Sequence, residues 1–436
     1  MDTISFSVLS FLLLSSSLIH SSVLSASSPE RETSEIGIII GGGGDDHAPA
    51  PPVNCPPPPP PPPPSRLEKA RRVLLKFATK INDPNDFTNN WHGPNPCQFR
   101  GVKCDKYPNS SELAVSGLDF NQAGFSHRQG SNLGLTGILD SIPELAFFHV
   151  NSNNFSGQIP TQITKYPFFY ELDLSNNKLV GEFPRDVLSS KQLLFVDLRF
   201  NNLTGPVPPE LFNMDLDVIF INNNKFNSNL PWNFGNTPAR YLTFANNKFT
   251  GPIPSSIGNA SKTLTEVLFL KNQFSGCLPY EIGFLKKAIV FDVSNNLLTG
   301  PIPESFACLQ KIRFLNLAHN KFYGYIPESV CELPGISNNG NLTLTDNYFT
   351  EVGPKCMKLI RSKVLEVSGN CIVGLPNQKS PEECFKFWFY VKPCPNEWSL
   401  KIVPCKKQYP KDDESAASSP APVTYESLTP TRHRLM

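Results

Sequence analysis

At 436 residues the chain is too long for one small core, and its 39 Lys and Arg against 38 Asp and Glu give a formal net charge of +1. That balance excludes a strong bulk attraction to nucleic acid or anionic membrane, so a partner has to be chosen by local pattern. The 11 cysteines include no CxxC pair, which favours disulfides in an oxidising compartment over a metal site, and the odd number leaves one thiol over.

In chain order, the apolar stretch over residues 4–19, followed by small residues around Ser25-Ala26-Ser27, reads as a secretory signal covering 1–26. No later apolar run approaches the roughly 18 residues needed to span a bilayer, so a secreted, extracellular chain without a membrane span is expected. Sequons at Asn109, Asn154, Asn202, Asn259 and Asn341 agree with that address. Residues 27–65 form a Ser, Gly and Pro rich leader in which Pro56 to Pro64 should adopt stiff polyproline II. The leader is either a disordered spacer or a hydroxylated, glycosylated segment held in a carbohydrate matrix. Cys55 within it is the candidate for the odd thiol, free or bonded to another molecule.

From Arg66 the pattern turns helical: Leu67, Val73, Leu74, Phe77, Ala78 and Ile81 share a face, with Arg66, Lys69, Arg72 and Lys76 mostly opposite, and Asp83-Pro84 ends the run. Trp91, Cys97, Gly101-Val102-Lys103 and Cys104 follow. Residues 66–112 thus resemble the amino-terminal cap of plant leucine-rich repeat proteins, and that resemblance implies a Cys97–Cys104 disulfide sealing the first turn.

Repeats occupy 113–350. After an irregular turn, Leu118-x-Phe120-x-x-Ala123-x-Phe125, ten asparagines recur 23 to 27 residues apart: Asn153, Asn177, Asn201, Asn224, Asn247, Asn272, Asn296, Asn320, Asn347 and Asn370. Each has apolar residues five before, three before and two after, the leucine-rich repeat frame. Glycine and proline then recur, as in Gly251-x-Ile253-Pro254 and Gly300-x-Ile302-Pro303, the plant-specific wording, with proline stopping further strand pairing. The fold expected is an α/β solenoid, a right-handed superhelix with a concave parallel β-sheet and disulfide-stapled caps. Cysteines crowd into a carboxy-terminal cap over 351–405, ahead of a disordered tail at 406–436. Cys277 and Cys308 lie on adjacent turns, close enough in register to pair.

The ladder fixes which strand positions face outward, since each repeat adds one row to the sheet. The column before the strand centre holds Phe147, Glu171, Phe195, Tyr241, Glu266 and Phe314; the column after it holds His149, Asp173, Asp197, Phe220 and Asp292, with Arg199 one column on. Acids and aromatic rings on an exposed face would suit a cationic peptide, the rings as anchors and the acids for steering. Against this, Leu-Asp-Leu-Ser-Asn is common repeat wording, and an aspartate there can simply bond neighbouring backbone.

Residues 66–405 also carry phrases beyond repeat wording, FHVNSNNFSGQIP at 148–160, YELDLSNNKLVGEFP at 170–184, LDVIFINNNKF at 216–226 and LTFANNKFTGPIP at 242–254. In these the chain resembles plant leucine-rich repeat extensins. The resemblance implies anchoring in the cell wall and capture of small, cationic, cysteine-rich alkalinization-factor peptides, often by a dimer. The family's Ser-Pro-Pro-Pro blocks are not found after the cap, where Ser419-Pro420, Pro422, Pro430, Tyr409 and Tyr425 stand instead, so covalent anchoring is not carried over. The alternatives are an inhibitor of secreted pectin-degrading enzymes and a structural wall protein that contacts polysaccharide. No GxSxG, HExxH or phosphate-cradling loop is present and the histidines are scattered, so no enzyme, cofactor or metal site is read.

Overall fold

A computed structural model describes residues 63–406 apart from 131, 162, 164 and 165. The signal, the leader through residue 62 with Cys55 and most of the Pro56 to Pro64 run, and the tail beyond 406 lie outside the described residues. Ser65 caps the first helix, Arg66–Ala78, by accepting a hydrogen bond from the Glu68 amide at 3.2 Å. Ala70, Leu74 and Phe77 form its buried face. The helix stops earlier than Asp83-Pro84 because Ile81–Asn82 turns extended and pairs with Ser126–His127. The Asp83 carboxylate instead accepts the amides of Phe87 and Thr88 at 2.9 and 2.7 Å. Trp91 stacks on Phe99 and donates its indole N–H to the Arg100 carbonyl, and Cys97 is bonded to Cys104 beside it.

A 12-stranded sheet runs from Val102–Lys106 to Leu365–Glu366, antiparallel only in its first pair. Its rungs pair with no offset: Phe148 faces Leu172, Leu172 faces Val196, and the ladder continues to Leu342. The segments that follow the first nine ladder asparagines form a second, 9-stranded sheet on the flank, from Ser156–Gly157 to Tyr348–Val352. Five of its nine strands end at the glycine, as in Lys248–Gly251, and the proline that follows cannot donate to the ladder.

Between the sheets runs a spine of buried phenylalanines. Phe226, Phe249 and Phe274 stack in succession at centroid separations of 6.4 and 6.0 Å, each fully buried ring worth about 1.5–3 kcal/mol. The asparagines complete each turn. Asn247 accepts the Phe226 amide at 3.0 Å and donates to the carbonyls of Ile221, Phe244 and Ala245 at 3.0 to 3.2 Å.

At the carboxy end, Cys331 bonds Cys356 and Cys371 bonds Cys384, but the other two bridges reach back into the repeats. Cys277 pairs with Cys394 and Cys308 with Cys405, so the expected Cys277–Cys308 contact is wrong. The cap folds back along the flank and supplies each repeat cysteine with a partner about a hundred residues distant. Gly300 allows this crossing: its φ is +91°, and a Cβ there would collide with the Cys394 sulfur.

Asn247→Ala orphans the Phe226 amide inside the core and should lower unfolding free energy by about 1–3 kcal/mol in chemical denaturation. A loss within error would mean that the amide ladder does not hold the turns together.

Candidate functional site

The zero-offset ladder brings the predicted columns together as unbroken rows. Phe147, Glu171, Phe195, Val218, Tyr241, Glu266, Val290 and Phe314 are successive partners, as are His149, Asp173, Asp197, Phe220, Thr243, Leu268 and Asp292. Exposure differs from expectation. His149, Asp173, Phe195, Asp197, Arg199, Phe220, Glu266 and Asp292 are buried, while Phe147, Glu171, Tyr241 and Phe314 are half-buried. The face is made of side chains that pack on one another along the rows rather than standing free.

Its middle is apolar. Phe195 meets Phe220 edge-on at 6.1 Å, and both cluster with Val218 under Tyr241. Further on, Leu268 and Val290 cluster with Phe314 against them. The amino-terminal end is polar. His149 Nε2 lies 3.1 Å from Glu171 Oε1, the Asp197 carboxylate lies 2.8 Å from Arg199 Nε, and the Arg199 guanidinium sits over the Phe220 ring at 4.9 Å.

The aspartates serve two purposes. In Asp173, Asp197 and Asp292, Oδ1 accepts the backbone amide two residues on, at 3.0, 3.1 and 2.8 Å. That is the framework use that common repeat wording allows for. The second oxygen remains on the face: in Asp197 it meets Arg199, and in Asp292 it accepts from Asn316 at 3.0 Å. Burial raises the Asp173 carboxyl above its ordinary value. Asp197 is raised well above, by burial first and then by the Asp173 charge on the neighbouring rung, with Arg199 opposing.

Two positions on this face went unselected in the sequence. Asn222, in the Arg199 column, and Thr243, in the Asp197 column, keep buried side-chain polar atoms without a hydrogen-bond partner among the described residues, as does His149 Nδ1. These atoms are spread along the face, Thr243 four rungs from His149, and each departs from the rule that buried polar atoms are satisfied. The column before each ladder asparagine carries a second signal. Asn176, Asn223, Asn246, Asn295, His319 and Asp346 take left-handed φ of 53° to 57°, which such residues tolerate, but so do Ser152, Phe200 and Lys271 at 54° to 58°. Of the sequons, Asn109 and Asn259 are exposed, whereas Asn154, Asn202 and Asn341 are half-buried.

Residues 67–105 match the leucine rich repeat N-terminal domain, and residues 192–214, 239–260, 289–309 and 311–333 match the leucine rich repeat. Among curated Arabidopsis thaliana proteins, leucine-rich repeat extensin-like protein 6 is 42% identical over 53% of this chain and 48% of its own length. Pollen-specific leucine-rich repeat extensin-like protein 3 is 41% identical over 73% of this chain and 43% of its own length. Leucine-rich repeat extensin-like protein 2 is 40% identical over 50% of this chain, and the chain spans 27% of that relative. The chain therefore spans less than half the length of these relatives. Among solved structures, PEPR1-AtPEP1 superposes with a TM-score of 0.51 at 25% identity, covering 65% of this chain and 46% of that one. The Arabidopsis receptor kinase HAESA, in complex with the peptide hormone IDA and the co-receptor SERK1, gives 0.55 at 23%, covering 70% and 54%. A plant ice-binding protein gives 0.57 at 22%, covering 72% and 98%, so the fold alone does not choose a ligand.

Two outcomes follow from this geometry. Because the folded values of Asp173 and Asp197 are raised, their contribution to stability is present below the unfolded carboxyl value and is lost as pH rises through the folded one. Asp173→Asn keeps the acceptor for Ser175 and removes the repulsion, so it should lose less stability than the parent between pH 4 and pH 7.5; parallel melting curves would refute this. Phe200→Asn relieves left-handed strain of about 1–2 kcal/mol and should raise the denaturation midpoint. A lowered midpoint would show that the ring packs well enough to offset the backbone.

Proposed function

From the premise that the chain carries a repeat domain of the leucine-rich repeat extensin-like type, we propose that it is a secreted cell-wall or apoplastic binding protein whose strand face captures a small cationic, cysteine-rich peptide of the alkalinization-factor kind. The observation that carries this reading is the row of acids and rings aligned without offset, with unsatisfied polar atoms of His149, Asn222 and Thr243 among them. The apolar middle around Phe195, Phe220 and Tyr241 gives a peptide a desolvated anchor. The carboxylates of Glu171, Asp173, Asp197, Glu266 and Asp292 set sign and register, since a second acid rung in place of a base would be repelled. HAESA, which shares the fold, was solved with a peptide hormone, and PEPR1 with AtPEP1.

The test is direct. In Asp173→Asn/Asp197→Asn/Asp292→Asn the framework acceptors survive as amide oxygens while the three carboxyl groups are removed. Affinity for a basic, cysteine-rich peptide should fall about tenfold or more, and its dependence on salt should flatten. Tyr241→Ala should cost about 2 kcal/mol. Unchanged affinity in both variants would remove the strand face as the peptide site.

A further inference from the structure

We propose that the cleft between the cap helix Pro381–Tyr390 and the flank of the solenoid is a second site, built for an acidic oligosaccharide of the uronic-acid class. The helix has no buried residue, although five of its ten positions are aromatic. Two rings dock it: Phe387 stacks on Tyr348 at 3.6 Å between centroids, and Trp388 meets Tyr323 edge-on at 5.2 Å. The Cys371–Cys384 and Cys277–Cys394 bridges pin it at either end. Phe385, Phe389 and Tyr390 point outward at 73%, 73% and 72% exposure. Exposed rings on so firmly tethered an element are not a packing residue of the fold.

The cleft beside them encloses about 630 Å³ and carries a consistent charge. Lys321, Lys386 and Lys392 line it, all exposed, and none makes an ion pair among the described residues. Its one acid, Glu383, is committed to the helix cap, bonding the Ser380 amide and hydroxyl at 3.0 Å, which holds its carboxyl below the ordinary value. Three ammonium groups without an ion pair among the described residues therefore line the same groove as Tyr348, Phe387 and Tyr390.

That combination selects the occupant. A protein partner's buried centre is depleted of lysine, and a bilayer presents a flat surface that cannot enter a cleft. A uronic-acid pyranose has a C–H face that lies on an aromatic ring, a carboxylate at its edge for an ammonium group, and a repeat that offers both again at the next sugar. Rings supply the stacking area and lysines the sign. This site shares no residue with the strand face, so each can fail without the other.

The experiment titrates the full chain with an oligogalacturonide of about ten sugars and with a neutral cello-oligosaccharide of equal length. The acidic oligomer should bind at least about tenfold more tightly, and Lys386→Gln/Lys392→Gln should erase about that factor and flatten the salt dependence. Tyr390→Ala should weaken binding severalfold with an unchanged melting temperature, because its ring is exposed. The Asp173→Asn/Asp197→Asn/Asp292→Asn variant should bind the oligomer as the parent does. Equal affinity for the neutral oligomer, full affinity in the lysine variant, or pelleting with phosphatidylserine vesicles without oligomer binding would each overturn the proposal.

Discussion

One side-chain amide in each turn governs the molecule. Asn177 accepts the Phe155 amide of the preceding turn and donates to the carbonyl of Val150 there and to Leu174 and Ser175 in its own. Asn201, Asn224 and their successors repeat the set. The job needs an acceptor and two donors on a short stem: aspartate lacks the donors, and glutamine places them a methylene too far out. It also needs the preceding residue in the left-handed region, because only that bend turns the asparagine inward. Because every turn is tied to its neighbour through the same atoms, the strands stack without offset, and a column of the sequence becomes a row in space.

This is why so much of the fold was legible. The asparagine frame gave the register, and the register gave the pairing of Phe147 with Glu171 and Glu171 with Phe195. What it could not give depends on contacts between rows or over long separations. The burial of Asp197 and Arg199 arises from what lies beside and above them, which a repeat consensus does not encode. The flank strands do alternate, as in Lys178-Leu179-Val180 and Asn202-Leu203-Thr204, but over three residues only, and the one apolar position is already taken by the repeat frame, so they carry no strand signal of their own. The Cys277 partner sits 117 residues away, beyond any rule of adjacent turns.

Position by position, framework and face divide the work, yet the aspartates belong to both. One oxygen of Asp173 or Asp197 is spent on its own backbone, so the residue cannot swing out to a ligand. A fixed, partly desolvated carboxylate is a better discriminator than a mobile one, since it loses no rotamer freedom on binding. Its cost is the raised affinity for protons that burial and a like-charged neighbour impose.

That cost links the ligand to pH. A cationic group arriving beside Asp173 and Asp197 favours their charged forms, so it must displace whatever proton the pair holds. On the proposed reading, binding by this face would strengthen as pH rises through the raised carboxyl values and weaken in acid, the opposite direction to the stability of the folded chain itself. The two demands meet in Arg199, whose charge lowers the carboxyl values on one side and rests over the Phe220 ring on the other. A residue placed in this way couples the acidic end of the face to its apolar middle, so a change at one is felt at the other.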